Sequence, residues 1–244
     1  MNNVGAIILA AGKGKRMNSK NFNKVVHLLN GKPMIIHPVE MFESLGLKPI
    51  VVVVGFAKKS VVSAVGNRVI FAHQSKILGT GHAVSCGLKK LTDNTKNVLV
   101  VNGDDSAFYT AETISELINE HVKKEAALSF LTINVDNPFG LGRIIRDANG
   151  NTLGVVEEKD ATDDQRKIEE VIPGCYVFSV SFLRKYLKKV KKSMATGEYY
   201  LTSLIDLAIR NNEKVEAIKG GKISWRGINT PKELKEAEQL FSQN

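Results

Sequence analysis

Val4-Gly5-Ala6-Ile7-Ile8-Leu9-Ala10-Ala11-Gly12-Lys13-Gly14-Lys15-Arg16-Met17 is the stretch from which the fold is read. Its first part, residues 4–9, is a short, continuous apolar run that stops where small residues begin, the pattern of a buried strand. Alanines and glycines let the chain turn sharply and approach a ligand closely, and successive N–H groups in such a turn bind anions. Lys13, Lys15 and Arg16 then place three positive charges where a row of phosphates would lie. A βα loop with a solvated basic tip would have the same composition. Two common phosphate loops are excluded: a dinucleotide fingerprint needs a third glycine where Met17 stands, and the Gly-Lys-Ser/Thr ending of a Walker loop is missing. A nucleotide-binding loop of another kind remains.

Outward from that stretch, apolar runs at residues 50–54, 69–72 and 98–101 alternate with helical patterns near 33–45, 58–65, 80–91 and 110–123. This alternation predicts crossover connections and a parallel sheet, with ligands gathered at the carboxyl ends of the strands. The run Ile50-Val51-Val52-Val53-Val54 is β-branched throughout, as a central strand covered on both faces should be. Further strands are expected at 127–135, 143–147, 153–158 and 174–179, with a hairpin turn at Asn149-Gly150. Helices are expected at 182–190, 199–210 and 231–241, the last opened by the N-cap Thr230 and by Pro231 at the first helical position. The fold class is α/β, a Rossmann-like three-layer sandwich with a mixed, mostly parallel sheet. One domain is expected over 1–244: a nucleotide-binding half to about residue 125, a substrate half over about 126–229, and a C-terminal helix over 230–244.

The 244 residues are 43% hydrophobic, enough for a sizeable core, and the formal net charge of +9 favours anionic partners. The densest basic tract, Arg184 to Lys192, falls on an amphipathic helix whose Leu183, Tyr186, Leu187 and Val190 face inward. With no aromatic residues interleaved for base stacking, it reads as a solvated helix face, and no nucleic-acid partner is expected. Cys86 and Cys175 are too few for a disulfide scaffold and are expected as reduced core thiols. No apolar run approaches the ~20 residues that span a bilayer, and no leader pattern opens the chain, so a cytoplasmic protein without a membrane partner is expected.

Several polar features fall at the expected strand ends. Gln74 precedes a second glycine turn, Leu78-Gly79-Thr80-Gly81-His82-Ala83, at a helix start; an amide there pairs with a base edge or caps the helix, and His82 reads as a packing residue. Asp104 follows Asn102-Gly103 and would project into the same cleft as the first loop. Such carboxylates hold magnesium, which takes few oxygen ligands from protein and the rest from phosphates and water, or they cap their own turn. Asp105 would point elsewhere if the local backbone is extended.

Taken in order, these segments resemble the sugar-1-phosphate nucleotidyltransferases, most closely the uridylyltransferase half of the bifunctional N-acetylglucosamine-1-phosphate enzymes. The resemblance covers residues 4–235. It is carried by Leu9 to Met17, Lys24-Val25-Val26-His27 with Gly31-Lys32-Pro33-Met34, Gln74 with Leu78 to Ala83, Gly103-Asp104, Asn137-Pro138 with Gly140 to Arg143, Glu157 to Ala161, Tyr199 to Thr202, and Asn229. It implies that Leu9, Ala10, Ala11, Gly12, Gln74, Gly79, Thr80 and Gly81 hold the nucleotide. It further implies that Arg16 and Lys24 act on phosphates as the catalytic cations, that Asp104 and Asn229 bind Mg2+, and that Gly142, Glu157, Tyr200 and Thr202 line the sugar pocket. The implied substrates are UTP and a sugar 1-phosphate, giving a UDP-sugar and pyrophosphate. No general base is needed, because a phosphate monoester with a second pKa of about 6 is already an anionic nucleophile near neutral pH.

The chain departs from the family pattern at three places. Ile172 occupies the asparagine position of a Glu-x-Asn-x-Gly segment that contacts the sugar, so sugar preference is expected to shift. Asp105-Ser106-Ala107 stands where x-Pro-Leu is usual, and Phe22-Asn23 replaces Leu-Pro before Lys24. No hexapeptide repeats follow Asn229, so acetyl transfer is not expected and a monomer or weak dimer is.

Overall fold

Strand β1 (Val4–Ala10) runs between two parallel neighbours, β4 (Ile50–Val54) and β6 (Asn97–Asn102), with Ile7 opposite both Val51 and Val100. All five residues of β4 are buried, because helices cover both of its faces. The computed structural model of the chain describes residues 3–17, 19, 21–220, 225 and 227–241. In chain order the remaining elements are β2 (Leu28–Leu29), β3 (Lys32–Pro33), α1 (Ile36–Ser44), α2 (Lys58–Val65), β5 (Ile70–His73), α3 (Thr80–Leu88), α4 (Ala111–Lys123), β7 (Leu128–Asn134), β8 (Gly142–Arg146), β9 (Thr152–Val156), α5 (Asp163–Arg166), β10 (Glu170–Ile172), β11 (Cys175–Ser179), α6 (Val180–Tyr186), α7 (Ser203–Arg210), β12 (Val215–Lys219) and α8 (Pro231–Phe241).

The main sheet has the order β5-β4-β1-β6-β11-β7-β10-β8-β9, with β12 also pairing with β7. Its first four strands are parallel; β11 then runs antiparallel to both β6 and β7, and β12 is parallel to β7. One apolar layer packs Phe42 of α1, Val61 of α2, Leu117 of α4 and Ala237 of α8 against one face, and a second packs Val84 of α3, Leu183 of α6 and Leu204 of α7 against the other. The result is the expected α/β three-layer sandwich with a mixed sheet.

Helix starts follow the sequence signals where a cap is present. Thr110 caps α4 by accepting from Thr113 N, Ser179 caps α6, and Thr230 accepts from Glu233 N ahead of Pro231. Asp147 Oδ1 accepts from Asn149 N and Asn151 N across the β8–β9 turn, with Gly150 at φ 84°. The basic helix packs as read: Leu183, Tyr186 and Val190 are buried, and Lys185 and Lys189 stack over the Tyr186 ring. Cys175 is buried, whereas Cys86 is only half-buried.

Three expectations change. The helix expected from Tyr199 begins at Ser203, because Tyr199 and Leu201 spend their amides on the α3 turn: Tyr199 N donates to Leu78 O and Leu201 N to Thr80 Oγ1. The helix expected from Pro33 begins at Ile36, since Lys32–Pro33 pairs with Leu28–Leu29 in a small hairpin. Strands β10 and β12 were not anticipated; they are short, and every residue of β12 is only partly buried or exposed.

Candidate functional site

The register of the parallel strands brings the polar strand ends together. Leu9 lies opposite Asn102, Gly103 N donates to Leu9 O at 2.9 Å, and Gln74 N donates to Val54 O at 2.8 Å. Above these ends opens a cleft of about 920 Å³, lined by residues 9–15, Lys24, Gln74, Gly79, Thr80, Asn102, Asp104 and Asn229 among others. This is the position in which open α/β sheets bind ligands.

The first loop is held by Asn23, which stands where the family pattern has proline. Asn23 is fully buried, and its Nδ2 donates to Ala10 O at 3.0 Å, Gly12 O at 3.1 Å and Phe56 O at 2.9 Å, while its Oδ1 accepts from Val25 N. A side-chain amide thus gathers three loop carbonyls and fixes the turn before Lys24. Nothing in the local sequence reveals those three partners.

Lys24 sits at the centre of the cleft. Its Nζ pairs with the Asp104 carboxylate and donates to Asn229 Oδ1 at 3.0 Å and to Ile228 O at 3.4 Å. Two oxygen donors from distant parts of the chain therefore converge on one cation. Among the described residues no cluster of three His, Cys, Asp or Glu side chains could hold a metal. The Asp104–Asn229 pair nevertheless suits a hard cation that draws its other ligands from phosphate and water.

Arg16, expected with Lys24 as a catalytic cation, is not among the residues that line the cleft. It is exposed on the short 3-10 turn Lys15–Met17, where Met17 N donates to Gly14 O and Met17 is buried as the anchor, turning Arg16 outward. Lys13 and Lys15 line the cleft in its place.

At the second turn, Gln74 is 2% exposed and its Nε2 donates to Gly79 O at 3.1 Å and contacts His82 Nδ1 at 2.9 Å. Gly79 adopts φ 99°, and a Cβ there would stand 2.6 Å from Tyr199 O, so only glycine fits. Gly81 N donates to Tyr199 O at 2.8 Å, which joins this turn to the Tyr199–Thr202 segment.

A smaller cavity of about 210 Å³ adjoins the cleft and shares Leu9, Thr80, Asn102 and Glu198 with it. Gly142, Glu157, Tyr200 and Thr202 all line it, as do Ile172 and Asp105. Thr202 Oγ1 donates to Glu157 Oε1 at 2.6 Å, yet burial outweighs that bond and pushes the Glu157 carboxyl above its usual range. Tyr200 OH meets Thr196 Oγ1 at 2.7 Å. Asp105 is 6% exposed, and burial, reinforced by the neighbouring Asp104 charge, holds its carboxyl well above the usual range. Beneath the wall, Arg143 is buried against Glu158 at 2.5 Å and Leu141 O.

A family model described as Nucleotidyl transferase matches residues 5–244. The Bifunctional protein GlmU of Caldicellulosiruptor saccharolyticus is 43% identical over 236 residues, which cover 96% of this chain and 50% of that protein. The protein of the same name from Thermoanaerobacter pseudethanolicus is 39% identical over 241 residues, covering 99% and 52%. That from Staphylococcus epidermidis is 38% identical over 239 residues, covering 98% and 52%. The chain thus spans about half the length of these curated relatives. A crystallised Bacillus anthracis protein assigned as a glucose-1-phosphate thymidylyltransferase, in complex with a sucrose, superposes with a TM-score of 0.81 at 22% identity, covering 97% of this chain and 94% of that one. That likeness is one of fold.

Proposed function

Because the chain belongs to the nucleotidyl transferase family, we propose that it transfers UMP from UTP to a sugar 1-phosphate, N-acetylglucosamine 1-phosphate first, releasing pyrophosphate and forming a UDP-sugar. The convergence of Lys24, Asp104 and Asn229 at one point of the cleft carries this reading. Asp104 and Asn229 would hold Mg2+, which when bound supplies positive charge to phosphate oxygens.

The chain's own residues supply the rest. The backbone of residues 9–12, clamped by Asn23, lies against the triphosphate, and Lys13, Lys15 and Lys24 offset the repulsion between two polyanions. Arg16, exposed on its turn, would have to swing inward to meet phosphate. With Nε2 of Gln74 committed to Gly79 O, its Oε1 is the atom left to accept from the imino N–H of a base. Uracil and thymine carry that proton and cytosine does not, which favours UTP or dTTP over CTP. Gly142, Glu157, Tyr200 and Thr202 would hold the sugar beside the cleft, with its phosphate towards Lys24.

A second reading keeps the fold and exchanges the acceptor for glucose 1-phosphate or another sugar 1-phosphate. It is favoured by Ile172, 5% exposed on the cavity wall, which offers no hydrogen bond. The test is to incubate the purified protein and Mg2+ with each nucleoside triphosphate and a panel of sugar 1-phosphates, identifying products by mass. UDP-N-acetylglucosamine is the expected main product. Another UDP-sugar would select the second reading, and no nucleotide sugar from any pair would overturn both.

A further inference from the structure

Asp104 and Asp105 are adjacent in sequence but face different chambers. Asp104 pairs with Lys24 in the nucleotide cleft, whereas Asp105 lines the smaller cavity together with Gly142, Glu157 and Ile172. Only one Asp105 oxygen is engaged: Oδ2 accepts from Asn102 Nδ2 at 3.4 Å, and Oδ1 is buried with no hydrogen-bond partner. Asn102 is itself confined, since a Cβ on Gly174 would lie 2.2 Å from its Nδ2. A buried polar atom left without a partner is costly, and native structures keep few of them unless a ligand completes the set.

The same cavity is also lined by an aliphatic side chain. Ile172 presents methyl groups, and its Cγ2 would lie 3.2 Å from a Cβ on Gly142, so that part of the wall is closed and apolar. The cavity has an aliphatic side at Ile172 and a carboxyl side at Asp105, whose Oδ1 lies buried behind the wall without a partner. Around a sugar, whose hydroxyls are hydrogen-bond donors, the acceptor is the group that can select.

We propose that Asp105 accepts a hydrogen bond from a hydroxyl of the acceptor sugar in this cavity and thereby determines which sugar 1-phosphate is used. This rests on the uridylyl-transfer reading above. A merely structural Asp105, holding the 102–106 turn that carries Asp104, would instead affect the nucleotide side and turnover.

The experiment is steady-state kinetics on the wild type and on Asp105→Ala, Asp105→Ser and Asp105→Asn. Each is assayed with UTP, with the sugar 1-phosphate that the wild type uses best, and with its monodeoxy analogues, while a thermal melt checks folding. With Asp105→Ala the acceptor KM is expected to rise ~10-fold or more while the UTP KM stays within about twofold. One monodeoxy analogue should cost the wild type a similar factor and cost Asp105→Ala nothing further. Asp105→Asn, which keeps an acceptor oxygen, should recover part of the loss. If Asp105→Ala fails to fold, Asp105→Ser is read by the same criteria. An unchanged acceptor KM, a fall confined to kcat, or equal losses with every analogue in wild type and variant would overturn the proposal. Absence of transfer by the wild type with every pair would overturn the underlying reading, and this one with it.

Discussion

The nucleotide cleft is lined by Lys13, Lys15, Lys24 and Lys159 against Asp104 and Glu198, whereas the adjoining cavity is lined by Asp105, Glu157 and Glu198 and, among the described residues, by no lysine or arginine. On the reading proposed above, two chambers that share a wall would attract opposite ends of a sugar 1-phosphate. Its phosphate would be drawn to the lysines and its uncharged, donor-rich ring to the carboxyl groups. On that proposal, the polarity would favour the acceptor with its nucleophilic oxygen towards the triphosphate. Orientation of this kind supplies a large part of the barrier reduction when no general base is involved.

The largest break in the comparison comes from removing the charge at the centre of the cleft. Lys24→Ala and Asp104→Ala should each lower kcat/KM by ~10²-fold or more while melting within a few degrees of the wild type. Pyrophosphate release together with a thermal melt checks this. Turnover at the wild-type rate in either variant would mean that the cleft's charge is incidental.

The next effect lies behind both chambers, where α4 packs on the sheet. His121 of α4 is buried, with Nδ1 2.8 Å from Ser129 Oγ on β7 and Nε2 3.2 Å from Asn97 Oδ1 on β6, so one ring ties α4 to two strands of the sheet. Burial lowers its pKa from 6.5 to about 4. A histidine with a depressed folded pKa leaves the unfolded chain binding more protons between those two values. Its contribution is intact above about pH 6.5 and is lost as pH falls towards 4, by up to ~3 kcal/mol. Urea titrations at pH 7 and pH 4.5 should show a smaller acid loss in His121→Gln than in the wild type. Equal losses would show that the His121 ring does not make stability depend on pH.

How far the site could be read beforehand differs between the chambers for a physical reason. Strands β1, β4 and β6 were legible because buried parallel strands are continuous apolar runs, and the loop after β1 is local. The Lys24–Asn229 contact joins residues 205 positions apart, and only a resemblance to known enzymes placed them together. Strand β12 escaped because Val215-Glu216-Ala217-Ile218-Lys219 is never fully buried and its pattern is too short to separate from a loop. The segment at Tyr199 looked helical because its apolar spacing continues that of α7; its amides were claimed by a turn more than a hundred residues earlier. Asp105 was seen only as the neighbour of Asp104, since which chamber a side chain enters depends on one backbone turn.

Asn23 gives a smaller effect on the cleft side. Asn23→Ala would leave the carbonyls of Ala10, Gly12 and Phe56 without their shared donor, costing about 1–3 kcal/mol of stability and loosening the loop. The expected signature is a raised UTP KM with the acceptor KM unchanged, read from the same steady-state assay. An acceptor KM that rose as much as that for UTP would show that the chambers are not independent.

The smallest expected effect lies across the shared wall, at Ile172. Ile172→Asn restores an amide where the family pattern has one, and a single neutral hydrogen bond contributes about 0.5–1.5 kcal/mol, so kcat/KM with N-acetylglucosamine 1-phosphate should rise by roughly two- to tenfold. Part of that gain is offset by the packing at Gly142, which the Ile172 methyl group now fills. The UTP KM should not move, because Ile172 does not line the nucleotide cleft. If selectivity between acceptors is unaltered in Ile172→Asn but collapses in Asp105→Ala, the sugar is read from the carboxyl side of the cavity. The reverse result would return that role to the wall at Ile172.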